Sequence, residues 1–228
     1  MNVLARFSRN LGLTAGLLFC ACIAATPATA ASITFNFTGA VTSVGSQVDG
    51  GSFSVNQLVT GSYTFESGTS NTGSGNTGTY NGALNGPSTN LNVTIGTYVA
   101  SLAAGDNQIE VFNPPSLSAD RYRVDGVFSG SPVDSHNPKF FRFELENPST
   151  NQFTGVLLPL TPPSVSSFAE RTLRLVFENG GNSRTVTVAL STLTAVPLPA
   201  AVILFGAGLV ALVGLGAGGW RMKNNSFA

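Results

Sequence analysis

The stretch Thr172-Leu173-Arg174-Leu175-Val176-Phe177-Glu178 alternates apolar with polar residues. So does Arg184-Thr185-Val186-Thr187-Val188-Ala189-Leu190, and between the two lies Asn179-Gly180-Gly181-Asn182. A period of two puts Leu173, Leu175 and Phe177 on one face of a strand and Val186, Val188 and Leu190 on one face of its neighbour. Asparagine and glycine tolerate the positive φ angles that a tight hairpin turn requires. The stretch reads as an antiparallel hairpin with one buried face, and it sets the fold class.

The pattern recurs along the chain. Ile33, Phe35 and Phe37 alternate with Thr34, Asn36 and Thr38, and similar runs cover residues 58–65, 91–95, 98–102, 109–112, 122–128 and 140–145. With the hairpin this makes nine candidate strands. Asp49-Gly50-Gly51 and Asn113-Pro114-Pro115 are turn signals between them. No exported stretch keeps a 3.6-residue period, and no repeat of fixed length is present. The expectation is an all-β domain, an antiparallel β-sandwich or jelly roll, with an open barrel as the alternative. Residues 67–90 are rich in Gly, Ser, Thr and Asn, with only Tyr80 and Leu84 to bury, and read as a long flexible loop.

Both ends carry membrane signals. Arg6 and Arg9 precede an apolar stretch at residues 11–25, and Ala28-Thr29-Ala30 is a small-x-small cleavage site. That order predicts a signal peptide over residues 1–30, cut between Ala30 and Ala31. Both cysteines, Cys20 and Cys22, fall inside it. The exported domain, residues 31–195, therefore has no disulfide and no thiolate for a metal.

At the other end, residues 200–220 are apolar and uncharged, and as a helix they span about 30 Å, the thickness of a bilayer's hydrocarbon core. Arg221 and Lys223 follow, which predicts a transmembrane helix with a cytoplasmic tail at residues 221–228. Pro197 and Pro199 keep the chain extended just outside it.

The chain balances eleven basic against eleven acidic residues, but unevenly. Without Arg6, Arg9, Arg221 and Lys223 the exported domain keeps seven basic residues against eleven acidic ones, a net charge of −4. Residues 31–119 contain no Lys or Arg at all. A nucleic-acid or anionic-lipid surface needs clustered cations, so those partners are excluded. Charged residues are 10% of the chain, and solubility must come from Ser, Thr, Asn and Gly.

No catalytic constellation is expected, and no cofactor or metal. His136, the only histidine, stands beside Asp134 and Ser135, but adjacent loop residues do not converge as a triad, and it reads as a solvated loop side chain. Glu144 and Glu146 share one face of a strand and read as exposed charges rather than a glycosidase pair. Asp106-Asn107, Asp120 and Asp125-Gly126 offer oxygen ligands without a D-x-D-x-D-G loop, and read as turn formers. Tyr98, Phe112, Tyr122 and Phe140 suggest a sugar-stacking platform, against which stands the ordinary place of strand aromatics in the core.

The motif Val196-Pro197-Leu198-Pro199-Ala200, the apolar span behind it and the basic Arg221 and Lys223 together resemble the PEP-CTERM sorting signals, in their VPLPA-CTERM form. The resemblance covers residues 196–228. It implies recognition by an exosortase, a membrane-embedded transpeptidase-like enzyme, cleavage near the proline motif, and delivery to the cell surface or extracellular matrix. Leu198 stands where the commoner form has glutamate. The segments Phe37-Thr38-Gly39-Ala40-Val41 and Val59-Thr60-Gly61-Ser62-Tyr63-Thr64-Phe65 are similar to a recurrent exported β-domain of such proteins. The expected function is that of a secreted surface or matrix protein with a structural or adhesive role, not an enzyme. The alternative is a carbohydrate-binding module of the exopolysaccharide matrix, and the third reading, behind both, is a surface hydrolase that uses Glu144 and Glu146.

Overall fold

The computed structural model of the protein describes residues 31–49, 51–114, 120–148 and 152–196. The hairpin forms as its pattern predicts. Strands β8 (Glu170–Asn179) and β9 (Asn182–Ala195) pair antiparallel with Asn179 opposite Asn182, and Gly180 and Gly181 take φ angles of 57° and 86°. Before them run β1 (Ser32–Val44), β2 (Leu58–Glu66), β3 (Thr77–Asn81), β4 (Leu91–Ile95), β5 (Tyr98–Phe112), β6 (Asp120–Ser129) and β7 (Asn137–Asn147).

Every strand except β3 pairs with its successor among the other eight, and β1 also pairs with β9. The sheet thus closes into an eight-stranded antiparallel barrel with β3 as an extra strand on β5. The all-β antiparallel class is as expected, but the sandwich or jelly roll gives way to a closed up-and-down meander. The reason is the β1–β9 pairing, which joins first strand to last and leaves no two-sheet arrangement.

The inward residues fill the lumen. Phe35, Phe37, Tyr63, Tyr122, Phe143 and Phe177 are all at most 2% exposed. Phe143 meets Tyr63 and Phe37 at ring-centroid distances of 5.5 and 5.6 Å. Large rings on facing strands need space made by small ones. Gly61, opposite Phe37 on β2, provides it, since a Cβ there would lie 2.3 Å from the Phe37 ring. At one rim Val48 and Phe53 of the β1–β2 loop close the barrel, with Phe53 5.0 Å from Tyr98 and 5.6 Å from Phe177. At the opposite rim Leu84, Leu158, Val165 and Phe168 are buried.

Two expected strands, 98–102 and 109–112, are halves of the single bulged strand β5. Within residues 67–90, expected as a flexible loop, lies β3. Tyr80 and Leu84 are buried there as their composition implies, and Tyr80 donates its hydroxyl hydrogen to the Val156 carbonyl at 2.8 Å. The outer edge of β3 is covered by its own preceding turn, with the Thr72 N–H donating to the Thr79 carbonyl and the Thr79 N–H to Asn71 Oδ1.

Candidate functional site

With the lumen filled, chemistry is left to the outer face, and the strand registers divide that face in two. One half is uncharged along its central rows, and β2 reaches a carboxylate only at its last residue, Glu66. Ser129, Ser101, Asn92, Ser62, Asn36 and Thr194 stand opposite one another in one row across β6, β5, β4, β2, β1 and β9. The next row holds Thr94, Thr60, Thr38 and Thr192. Neighbouring hydroxyls meet, Thr38 with Thr192 and Thr34 with Thr64 at 2.8 Å, and Ser101 with Ser129 at 2.9 Å. Threonine alternates with apolar residues because its branched Cβ suits the strand while its hydroxyl faces water.

The other half, over β5 to β8, carries the charge. Glu110 accepts from Arg121 Nη2 at 2.6 Å and from Arg123 Nη2 at 3.1 Å. Asp125 accepts from Arg142 Nε at 2.9 Å. Arg123 Nε lies 2.9 Å from Asp125 Oδ2 without the alignment of a hydrogen bond, so that contact is an ion pair only. The hydrogen bond to Asp125, above all, raises Arg142 beyond the usual arginine value. Glu144 sits in register opposite Arg123. Lys139 pairs with Glu178. The network is balanced and partly sheltered, with Asp125 only 8% exposed in its side chain, so it holds β5, β6 and β7 in register more than it offers free charge.

Between the halves the outer surface is hollowed. A concavity of about 680 Å³ is lined by Asn81, Asn85, Asp106, Gln108, Asp125 and Phe140 among others. Its polar residues come from the β3–β4 connection, the β5 bulge and the facing strand β6. Phe140 of β7 closes its end, with the Arg142 guanidinium 5.2 Å from the ring centroid.

The sequence-derived sites fare differently. Among the sorting-motif residues only Val196 is described, and its N–H donates to the Thr34 carbonyl at 2.9 Å. Pro197, Leu198, Pro199, Ala200, Arg221 and Lys223 lie outside the described residues, as do Ala28 and Ala30. Ala31 is described and is held by Ser67, which receives its N–H at 2.9 Å. No helix among the described residues is long and apolar enough to cross a membrane, and the expected span at 200–220 falls outside them.

His136 is buried, not solvated. It sits in a tight turn with Asp134 and Ser135 at positive φ, its Nδ1 2.9 Å from the Asp134 carbonyl oxygen. Glu144 is also largely buried rather than exposed, in register opposite Arg123 on β6 and Thr172 on β8. Asp106, Asn107, Asp125 and Gly126 are brought together at the concavity. Asp120 is apart, fully buried, with Oδ2 accepting the Gln152 N–H and, at 2.9 Å, the Phe153 N–H. Of the four aromatics, Tyr98 and Tyr122 are core, whereas Phe112 and Phe140 are outward and lie against Arg121 and Arg142. Asn85 and Gln108 were not singled out from the sequence. Their signal was the unusual density of amides in residues 81–92 and 106–108. No protein-family model, curated protein or solved structure matches the chain.

Proposed function

We propose that this chain is an exported protein of the cell surface or extracellular matrix, sorted by the exosortase-type signal at residues 196–228, in which the barrel has a structural or adhesive role. The observation that carries the adhesive part is the uncharged outer half, with its row from Ser129 to Thr194 and the threonine row beside it. Adjacent strands are about 4.8 Å apart, so the rows present hydroxyl and amide groups at a spacing within reach of a hydrated polymer. Each such hydrogen bond contributes only about 1 kcal/mol, and retention comes from making many at once. The packed lumen supports the same reading, since the barrel has spent its interior on stability.

The position of Val196 supports the sorting part. It is the first residue of the proline motif, and its N–H bonds to Thr34 near the start of β1, so the motif begins directly at the barrel wall. Pro197 and Pro199 lack backbone donors and restrict their neighbours to extended conformations, the form in which a peptide-cleaving site binds a chain. Removal of residues 196–228 is expected to shift the protein from the envelope and matrix fractions to the soluble exported fraction. An unchanged distribution would overturn the sorting reading.

A further inference from the structure

Strand β5 loses its ladder partners at its middle. Leu102 pairs with Phe128 and Asn107 with Gly126, so residues 103–106 have no partner on β6; on the other side β4 stops at Ser101 and β3 starts at Gln108. The bulged backbone is therefore turned to solvent. Two hollows form around it, the concavity of about 680 Å³ toward Phe140 and a second of about 360 Å³ running past Ser88 and Leu102. Asn85, Gly105 and Asn107 line both, which makes them two ends of one elongated groove. The bank of the groove is fixed: Asn107 Nδ2 donates to Asn85 Oδ1 at 2.8 Å, and Asn107 Oδ1 accepts the Leu84 N–H at 2.8 Å.

The polar groups left over decide the ligand. Among the described residues the side chains of Asp106 and Gln108 have no hydrogen-bond or ion-pair partner, and Asn85 Nδ2 donates to none. Amide and carboxylate groups of this kind present paired donors and acceptors to adjacent hydroxyls on a ring. Phe140 supplies an aromatic surface for the apolar face of such a ring. Among the described residues no Lys or Arg lines the groove, and Asp106 would repel a polyanion. Asp125 is already neutralised by Arg142 and Arg123, so it is closed to a metal ion. A peptide added as a strand needs a regular edge with alternating pockets, which a bulge does not provide. We propose that this groove is a binding site for an uncharged polysaccharide, held by Asn85, Asp106 and Gln108 and stacked on Phe140. The site gives a ligand to the adhesive reading and rests on it for where that polymer is met.

The test is affinity electrophoresis of the full chain in mild detergent through gels containing dextran, laminarin or mannan, with alginate as the polyanion. Retardation by at least one uncharged polymer is expected, with the dissociation constant raised about ten-fold by Gln108→Ala and by Phe140→Ala. Ser183→Ala, exposed in the β8–β9 hairpin and outside both the groove and the hydroxyl rows, is expected to change nothing. Phe140→Ala also loosens Arg142, so Gln108→Ala, which removes only an unpartnered carboxamide, is the deciding variant. No retardation by any uncharged polymer, retardation by alginate alone, or an undiminished effect in Gln108→Ala would overturn the site. Fractionation separates this from sorting: a failed groove with a chain still relocated by loss of residues 196–228 removes the site only, and the converse removes the sorting reading only.

Discussion

Replacing Tyr63 alone by Phe will cost more than replacing Tyr63 and Tyr122 together. Their hydroxyls meet at 3.0 Å in the middle of the barrel, with the residues 1% and 0% exposed, among Phe35, Phe37 and Phe143. Tyr63→Phe leaves the Tyr122 hydroxyl buried without its partner, and an unsatisfied buried hydroxyl costs about 1–3 kcal/mol. At about 2 kcal/mol the melting temperature of a domain this size falls by about 4–8 °C. Tyr122→Phe should cost a similar amount by the mirror argument. The double variant removes both polar atoms and keeps both rings, so it should lie within about 1 kcal/mol of the parent. With each single variant at about 2 kcal/mol, the coupling energy is then about 3–4 kcal/mol. Urea unfolding of the barrel followed by circular dichroism, in the parent, both single variants and the double, measures it, and an unchanged urea slope shows that the end states are comparable. If the double variant loses the sum of the singles within about 0.5 kcal/mol, the two hydroxyls are not a pair and the reasoning fails.

Other consequences are open to the same methods. Gly61→Ala forces a Cβ against the Phe37 ring and should destabilise by about 1–3 kcal/mol, with Phe37→Leu restoring part of the loss; no effect on the melting temperature would mean that the ring has room to move. Burial raises Tyr63 and Tyr122 well above the ordinary tyrosine value and pushes Tyr98 up to about 12. Because the folded state holds these protons more tightly than the unfolded chain, the stabilisation is complete below pH 10 and is lost as the pH rises above it. Absorbance at 295 nm should show these tyrosines ionising only with unfolding, and a reversible titration of all four at pH 10 would contradict that burial. Glu110→Ala removes the acceptor shared by Arg121 and Arg123, whose side chains are partly exposed, so the loss should be about 1 kcal/mol and smaller still at 1 M salt.

Local pairing was legible in the chain, and closure was not. Leu173, Leu175 and Phe177 against Val186, Val188 and Leu190 place a hairpin because the side-chain period and the turn residues agree. Nothing in a period of two says which strand neighbours which at long range, so the pairing of β1 with β9 had no signal. The bulge in β5 was hidden for a related reason. Ala103-Ala104-Gly105-Asp106 interrupts the alternation, and an interruption reads as a turn between two strands unless the partner strand is known. Strand β3 was masked by Gly78 among threonines, where only Tyr80 has apolar bulk. The groove was half visible: Asp106, Asn107 and Asp125 stood out as oxygen-rich, but their convergence with Asn85 and Phe140 depends on the bulge.

The uneven charge of the sequence gains its meaning from the closed sheet. All seven cations of residues 31–195 follow residue 120, and the strands that carry most of them, β6 to β8, are consecutive round the barrel. Charge separated along the chain thereby becomes charge separated in space. An up-and-down order is the one in which this holds, because neighbours in sequence remain neighbours in the wall; a Greek-key connection would have scattered Arg121, Arg142 and Arg174 among the threonine strands. The paired half holds register through Glu110 and Asp125, and the central rows of the hydroxyl half carry no fixed charge that would select a counter-charged partner. The groove lies at the border, where β5 passes from Ser101 in the uncharged row to Glu110 in the ionic network. A strand crossing between two such surfaces must change its pairing geometry, and the bulge at residues 103–106 is where that change exposes backbone and amides together.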